Sequence, residues 1–219
     1  MNEPQPVGTG MDAWIDAAAA ALLAQGWYVG KAAVSEGLVR AMAGELRTLV
    51  ESDRLKPAGI GRDRDYQIDR DTRRDWIHWL SRKRPDQAAF LDWAEALRLG
   101  LNRRLFLGLF EFEAHLALYP PGAFYVRHFD SFTGAANRMV SLVLYLNRDW
   151  KSGDGGELVL YRAGSGSEMT QVDPLGGTLV LFMSEEIEHE VLPTRTRRAS
   201  IAGWFRLNNN SAAIVDPPR

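Results

Sequence analysis

Residues 119–130 read YPPGAFYVRHFD, a turn followed by a run that ends in a histidine and an aspartate. Pro120, Pro121 and Gly122 supply the turn. In the extended run after them, positions i and i+2 share a face. His128 and Asp130 then aim an imidazole nitrogen and a carboxylate at one point, while Phe129 turns the other way. A further histidine, His189, lies far along the chain and completes a set of two histidines and one carboxylate. Such a set caps one face of an octahedral metal and leaves the opposite positions open, which suits non-haem Fe(II) and oxygen chemistry. By itself a His-x-Asp also fits a surface strand, so its surroundings decide.

Downstream of residue 105 the apolar period is two. Strands are expected at 112–119, 124–130, 138–147, 157–161, 168–173, 178–183, 188–191 and 198–207. Glycine and proline turns separate them, among them Gly153–Gly156 and Gly176-Gly177. Short strands at this spacing, with no helix-length gap, imply an antiparallel jelly roll. Upstream, the periodicity predicts a helix over 11–25 ending before Gly26, and a second from a Ser35 cap to about residue 51. Pro85 and Asp86 open a third. Brief strands are expected at 27–29 and 75–80. The fold class expected is therefore α+β: a double-stranded β-helix (jelly-roll) barrel supported by N-terminal helices. A loose tail over 1–10 would precede one domain over 11–219. Residues 11–105 would give helical support and 106–208 the jelly-roll core.

The segment 56–74, KPAGIGRDRDYQIDRDTRR, breaks this apolar pattern. It reads as a mobile charged loop, and a loop of that kind is where a substrate-gripping segment sits. Among 219 residues, 26 basic and 28 acidic side chains leave a net charge of −2, so no bulk field selects nucleic acid or an anionic membrane. The absence of cysteine excludes disulfides, thiolate metal sites and cysteine nucleophiles. The first ten residues lack a basic and an apolar region, and the longest apolar stretch, 17–24, is too short to span a bilayer. A cytoplasmic monomer is expected.

Arg198 opens the last predicted strand, where Ser200, Ala202 and Trp204 share its face. An arginine inside a barrel is costly unless a carboxylate meets it, and its planar fork matches a carboxylate bidentately. A small diacid cosubstrate would be such a partner. Tyr119 and Tyr145 add phenolic donors, Tyr145 on a face with Ser141 and Val143. Taken singly, each tyrosine also fits a core position and each arginine of 195–198 a surface one. His115 and His78 read as structural.

Taken together, YPPGAFYVRHFD, LVLYLNRDW ending at Trp150, GGEL at 155–158, HEVLP from His189 and RASIAGWF from Arg198 resemble one family. It is the Fe(II)- and 2-oxoglutarate-dependent dioxygenases, specifically the hypoxia-inducible-factor prolyl hydroxylases and their bacterial relatives. The resemblance implies that His128, Asp130 and His189 bind the iron. It implies that Arg198 and Tyr145 hold the distal carboxylate of 2-oxoglutarate, that Tyr119 bonds near its chelating end, and that Trp204 walls the pocket. Arg73-Arg74-Asp75 followed by Trp79 resembles the family's Arg-Gly-Asp and tryptophan, with Arg74 in place of glycine. Asp75 and Trp79 would belong to the substrate-closing segment over 56–80, and Arg138 resembles an arginine at the site entrance. The implied activity is hydroxylation of a prolyl residue in a protein, such as the translation factor elongation factor Tu. O2 would be the second cosubstrate, ascorbate a supporting reductant, and succinate and carbon dioxide the products. Two alternatives stand beside it: a same-fold oxygenase acting on a free amino acid or small molecule, and a non-enzymatic cupin-like metal-binding module.

Overall fold

The computed structural model describes residues 9–59, 68–131, 137–162 and 164–208. Most of the expected tail and the centre of the charged loop, residues 60–67, lie outside them. In chain order the elements are α1 (Thr9–Gln25), β1 (Trp27–Lys31), α2 (Glu36–Glu51), β2 (Lys56–Pro57), β3 (Trp76–Trp79) and α3 (Pro85–Leu105). There follow β4 (Leu109–Tyr119), β5 (Tyr125–His128), β6 (Arg138–Tyr145) and β7 (Leu158–Arg162). The last are β8 (Glu168–Val172), β9 (Thr178–Met183), β10 (Ile187–Val191) and β11 (Arg198–Leu207).

Two antiparallel sheets face each other, a larger one ordered β1-β9-β6-β11-β4-β3-β2 and a smaller one ordered β5-β10-β7-β8. The central strands of the larger sheet are covered on both faces, which is why they read as apolar runs such as LVLYL rather than as clean alternations. Its outward residues, among them Leu116, Leu142, Leu144, Leu181 and Ile201, share one core with Ile15, Leu22, Met42, Leu46, Phe90 and Leu97 of the three helices. The inward set, Ala117, Tyr119, Tyr145, Val180 and Phe182, joins Leu158, Leu160, Val172 and Val191 of the smaller sheet in a second core. The helices thus back the sheet, and the space between the sheets is left for the site. None of the described helices is long and apolar enough to cross a membrane.

Ser35 caps α2 as expected, its hydroxyl accepting from Leu38 N–H at 3.3 Å. Glu45 was not expected to be buried. Arg84 clasps it through both carboxylate oxygens and Gln87 donates to it at 3.1 Å, so α2 is tied to the start of α3. These partners, Arg84 first, hold its carboxyl below the usual range. One expected strand needs correction. The run over 124–130 ends at His128, and Asp130 stands in a bend beyond it. Strand parity therefore does not aim Asp130; a side-chain bond does, as described below.

The last turn of α3 closes on Phe106 in the left-handed region, φ 54, with its N–H bonded to Asn102 O and its side chain 88% exposed. A Cβ at that φ is unfavourable by about 1 kcal/mol, and glycine removes the conflict. Phe106→Gly is expected to raise the unfolding free energy by about 0.5–1 kcal/mol in urea titration, since the exposed ring has little packing to lose.

Candidate active site

His128 closes β5 and His189 stands directly opposite it on β10. Backbone carbonyls orient both rings. The Nδ1 of His128 lies 2.7 Å from Val126 O, and that of His189 lies 3.5 Å from Ile187 O. With Nδ1–H donating, each Nε2 keeps a free lone pair. Asp130 brings one oxygen to 3.7 Å from His128 Nε2 and the other to 3.6 Å from His189 Nε2. The Ser141 hydroxyl on β6 donates to that second oxygen at 2.6 Å and is itself backed by Ser184 at 2.8 Å. This chain of hydroxyls holds Asp130 in place after the strand has ended.

The three ligand atoms lie within 4.8 Å of one another. Burial opposes the charge on Asp130, but His189 and His128 outweigh it and hold its carboxyl well below the usual range. Burial, then the neighbouring His128, pushes His189 down to about 4. At neutral pH the site therefore offers a carboxylate beside a neutral imidazole, the forms that bind a metal. The Nε2 of His128 is buried without a partner, and Tyr125 and Phe182 pack against the two histidines. A divalent cation fits that unused lone pair.

The same cavity runs to Arg198, whose inward neighbours Ser200, Ala202 and Trp204 all line it, as their parity requires. Arg198 is 2% exposed. Its Nε donates to Gly156 O at 2.7 Å and its Nη1 to Ser200 Oγ at 3.3 Å, and its guanidinium lies over the rings of Tyr119 and Tyr145. Among the described residues no carboxylate pairs with it. The Tyr145 hydroxyl is also buried without a partner, and burial pushes it up to about 12, so it stays a donor. Gly156 allows this close approach. It sits at φ +70, and a Cβ there would lie 3.0 Å from Arg198 Cδ.

The opposite side is walled by aromatic rings. Trp204 lies 5.5 Å from His115, and Trp79, half exposed, stands edge-on to His115 at 5.1 Å. Arg138, fixed by Glu113 at 3.0 and 2.9 Å, covers Trp204 at 3.6 Å. Asp75, expected in the substrate-closing segment, does not line the cavity itself. Its side chain is 0% exposed and is held bidentately by Arg73 at 2.6 and 2.8 Å. It serves Arg73, which lines the cavity and stacks on Tyr125 at 4.7 Å. The segment also pairs with β5 through Arg74 N–H to Phe124 O and Val126 N–H to Thr72 O. Arg74 is absent from the positive-φ residues, so the turn needs no glycine there.

Arg73, Tyr125, Ser141 and His115 were missed as site residues. Ser141 shares parity with Tyr145, which was a usable signal. His115 shares parity with Tyr119 but had no spaced ligand to recommend it. It is 1% exposed, lines the cavity, and has a buried Nδ1 without a partner. Burial first, then Arg73, pushes it down to about 3, so the folded chain keeps it neutral. The unfolded histidine takes a proton below about pH 6.5 and the folded one does not, so stability present above that pH is lost as pH falls toward 3, by up to about 1.4 kcal/mol per unit. In urea titrations between pH 6 and 4, His115→Gln is expected to show a shallower loss of stability than the parent. An unchanged slope would mean that His115 is protonated in the folded state.

Residues 114–206 match the family model described as the 2OG-Fe(II) oxygenase superfamily. A prolyl-4-hydroxylase from Pseudomonas putida is similar at 41% identity with a TM-score of 0.80, over 88% of this chain and 98% of that one. A Trichoplax adhaerens prolyl hydroxylase, solved with a hypoxia-inducible-factor peptide, shares the fold at 24% identity and a TM-score of 0.80, over 90% of each chain. A prolyl 4-hydroxylase from Phytophthora capsici shares it at 23% identity and a TM-score of 0.71, over 97% of this chain and 69% of that one. This chain belongs to the 2OG-Fe(II) oxygenase superfamily, whose chemistry uses Fe(II), 2-oxoglutarate and O2, and it is an enzyme of the prolyl-4-hydroxylase type.

Proposed function

We propose that this enzyme hydroxylates a prolyl residue carried in a protein. Its iron would be held by His128, Asp130 and His189, and its 2-oxoglutarate by Arg198 with help from Tyr145 and Tyr119. The observation that carries the reading is one cavity with two unmet demands. The His128 Nε2 lacks a partner near one end, and the buried guanidinium of Arg198 lacks a carboxylate at the other. A metal answers the first and a dicarboxylate the second. When bound, the iron supplies the family's chemistry, the coupled oxidation of 2-oxoglutarate to succinate and carbon dioxide and of a substrate C–H to C–OH.

The protein's own groups position the reactants and exclude water. Trp204, Trp79 and His115 offer flat apolar faces to a pyrrolidine ring. The buried Trp204 Nε1 and His115 Nδ1 both lack partners and are suited to bond the polar backbone beside that ring. The Arg73–Asp75 pair fastens the end of the 56–80 segment against β5. The rest of the segment is thereby available to grip a peptide. The similarity to the Pseudomonas putida prolyl-4-hydroxylase supports proline as the target, and elongation factor Tu, implied by the sequence resemblance alone, is the protein to try first.

Cosubstrate binding is checked by comparing neighbouring arginines. Removing a buried charged partner typically costs about 2–5 kcal/mol, roughly thirtyfold to several-thousandfold in affinity. Arg198→Ala is expected to raise the KM for 2-oxoglutarate by that order, and Arg197→Ala, on the opposite face and exposed, to change it little. Equal effects at the two positions would overturn the assignment.

Substrate class is checked by mass spectrometry of prolyl peptides from elongation factor Tu and other proteins, run against free proline. Asp75→Ala is expected to reduce peptide hydroxylation more than the slow substrate-free decarboxylation of 2-oxoglutarate, because it releases Arg73 and the segment behind it. Free proline turned over as well as peptides, by parent and variant alike, would replace this reading with the small-molecule one.

A further inference from the structure

The larger sheet has a second concavity on its outer face, directly behind the cosubstrate end of the active site. It measures about 520 Å³ and lies between α2 and the ends of β4, β6 and β11. Ala43, Leu46 and Val50 of α2 and Leu118, Leu146 and Ala199 of the sheet give it an apolar floor. Arg40, Arg47, Arg148 and Arg197 stand at its rim with one acid, Glu51. Arg40 is paired with Glu36 in its own helix. Arg47, Arg148 and Arg197 form no ion pair among the described residues. Three uncommitted guanidiniums therefore share a single carboxylate, in a chain whose net charge is −2.

An apolar floor under a cationic rim is complementary to one kind of ligand. It suits an apolar chain that lies on the floor and carries an anionic head among the guanidiniums, where a carboxylate or phosphate is held bidentately. The volume is that of a small-molecule site. It opens on the face of the sheet away from the iron ligands, so a peptide whose proline is in the active site does not occupy it.

The sheet links this groove to the cosubstrate. Successive side chains of a strand point to opposite faces. Leu118 precedes Tyr119 on β4, Leu146 follows Tyr145 at the end of β6, and Arg197 and Ala199 flank Arg198. The floor is also cross-tied: Leu146 N–H bonds Ala199 O at 3.1 Å, and Asn147 accepts from Ala199 N–H at 2.7 Å. A close-packed sheet transmits a displacement on one face to the other, so a ligand in the groove presses on the backbone that carries Arg198, Tyr119 and Tyr145.

We propose that this groove binds an amphiphilic anion, a medium-chain acyl carboxylate or alkyl phosphate, and that its occupancy changes the enzyme's affinity for 2-oxoglutarate. The test titrates the full chain calorimetrically with dodecanoate, dodecyl phosphate and dodecyltrimethylammonium, each below its micelle concentration. The two anions are expected to bind, their relative affinity showing which head is preferred, and the cation of equal chain length is expected not to. Arg47→Glu with Arg148→Glu reverses the rim charge, and Ala43→Phe fills the floor. Either change is expected to weaken binding about tenfold or more while leaving basal turnover intact. Saturating anion is expected to shift the KM for 2-oxoglutarate about fivefold or more in the parent and not in the variants. Equal binding of the cation, binding unaffected by both variants, or an unmoved KM in the saturated parent would overturn the proposal. Calorimetry needs no turnover, so failure here is distinguishable from failure of the catalytic reading.

Discussion

The larger sheet is covered over most of its area by helices on one face and by the smaller sheet on the other, and most of what the molecule does follows from that constraint. One residue in two must satisfy a helix and the next must satisfy the space between the sheets. On the helix side the buried cluster is apolar. On the other side β11 carries Arg198, Ser200, Ala202 and Trp204, β4 carries His115 and Tyr119, and β6 carries Ser141 and Tyr145. Buried polar groups are tolerated only with partners. Ser141 finds Asp130 and Ser184, and Arg206 finds Asn137 at 2.9 Å and the acids of β4. Among the described residues, three groups of the cavity lining do not, His128 Nε2, His115 Nδ1 and Trp204 Nε1, nor does the Tyr145 hydroxyl beside Arg198. Their shared location distinguishes a site from a packing defect.

How much of this was legible in the sequence depends on the kind of force involved. Strand parity is a local property, so the inward set on β11 was readable from four residues, and two predicted strands, 178–183 and 198–207, match the observed ones. Helix caps are local too, as Ser35 shows. The candidate metal-binding set could be assembled because His128 and His189 are both on strands, where spacing determines direction. Asp130 reached the right place for a reason the sequence did not display. It lies past the end of β5, and a serine from another strand holds it. Glu45 is the same case, since its neutralising arginine, Arg84, immediately precedes a different helix.

Asp75 illustrates the limit further. An aspartate just past a charged, glycine-punctuated loop reads as a surface group, and composition gives no hint that it is fully buried. Burying an ion pair is weak evidence of stabilisation, because desolvation offsets much of the attraction. Its value lies in direction. Arg73 is buried, which by itself opposes its charge, and Asp75 more than restores it, leaving the guanidinium raised above its ordinary range. Fixed in this way, Arg73 stacks on Tyr125, which in turn stacks on His128 at 3.6 Å. Arg73, near the end of the 56–80 segment, is thus linked to the candidate metal ligand His128 through two aromatic contacts.

Charge closes the argument for what belongs in the cavity. Burial keeps the phenols of Tyr119, Tyr125 and Tyr145 protonated and the imidazoles of His115 and His189 neutral at physiological pH. Arg73 and Asp75 cancel. Among the described residues, the fixed charges that remain along the cavity are Asp130 near one end and Arg198 at the other. Neither is matched by a charge of its own kind of partner, and in a medium of low dielectric such a separation is unfavourable. A divalent cation alone overcompensates Asp130 and leaves the whole cavity positive. A dicarboxylate alone finds Arg198 but sets its second carboxylate against Asp130. Cation and dianion together bring the total to zero, with each charge beside an opposite one. The residues therefore favour joint occupancy by a divalent metal and a dicarboxylate over either one singly, and a monocarboxylate would leave Arg198 or the metal without its counter-charge.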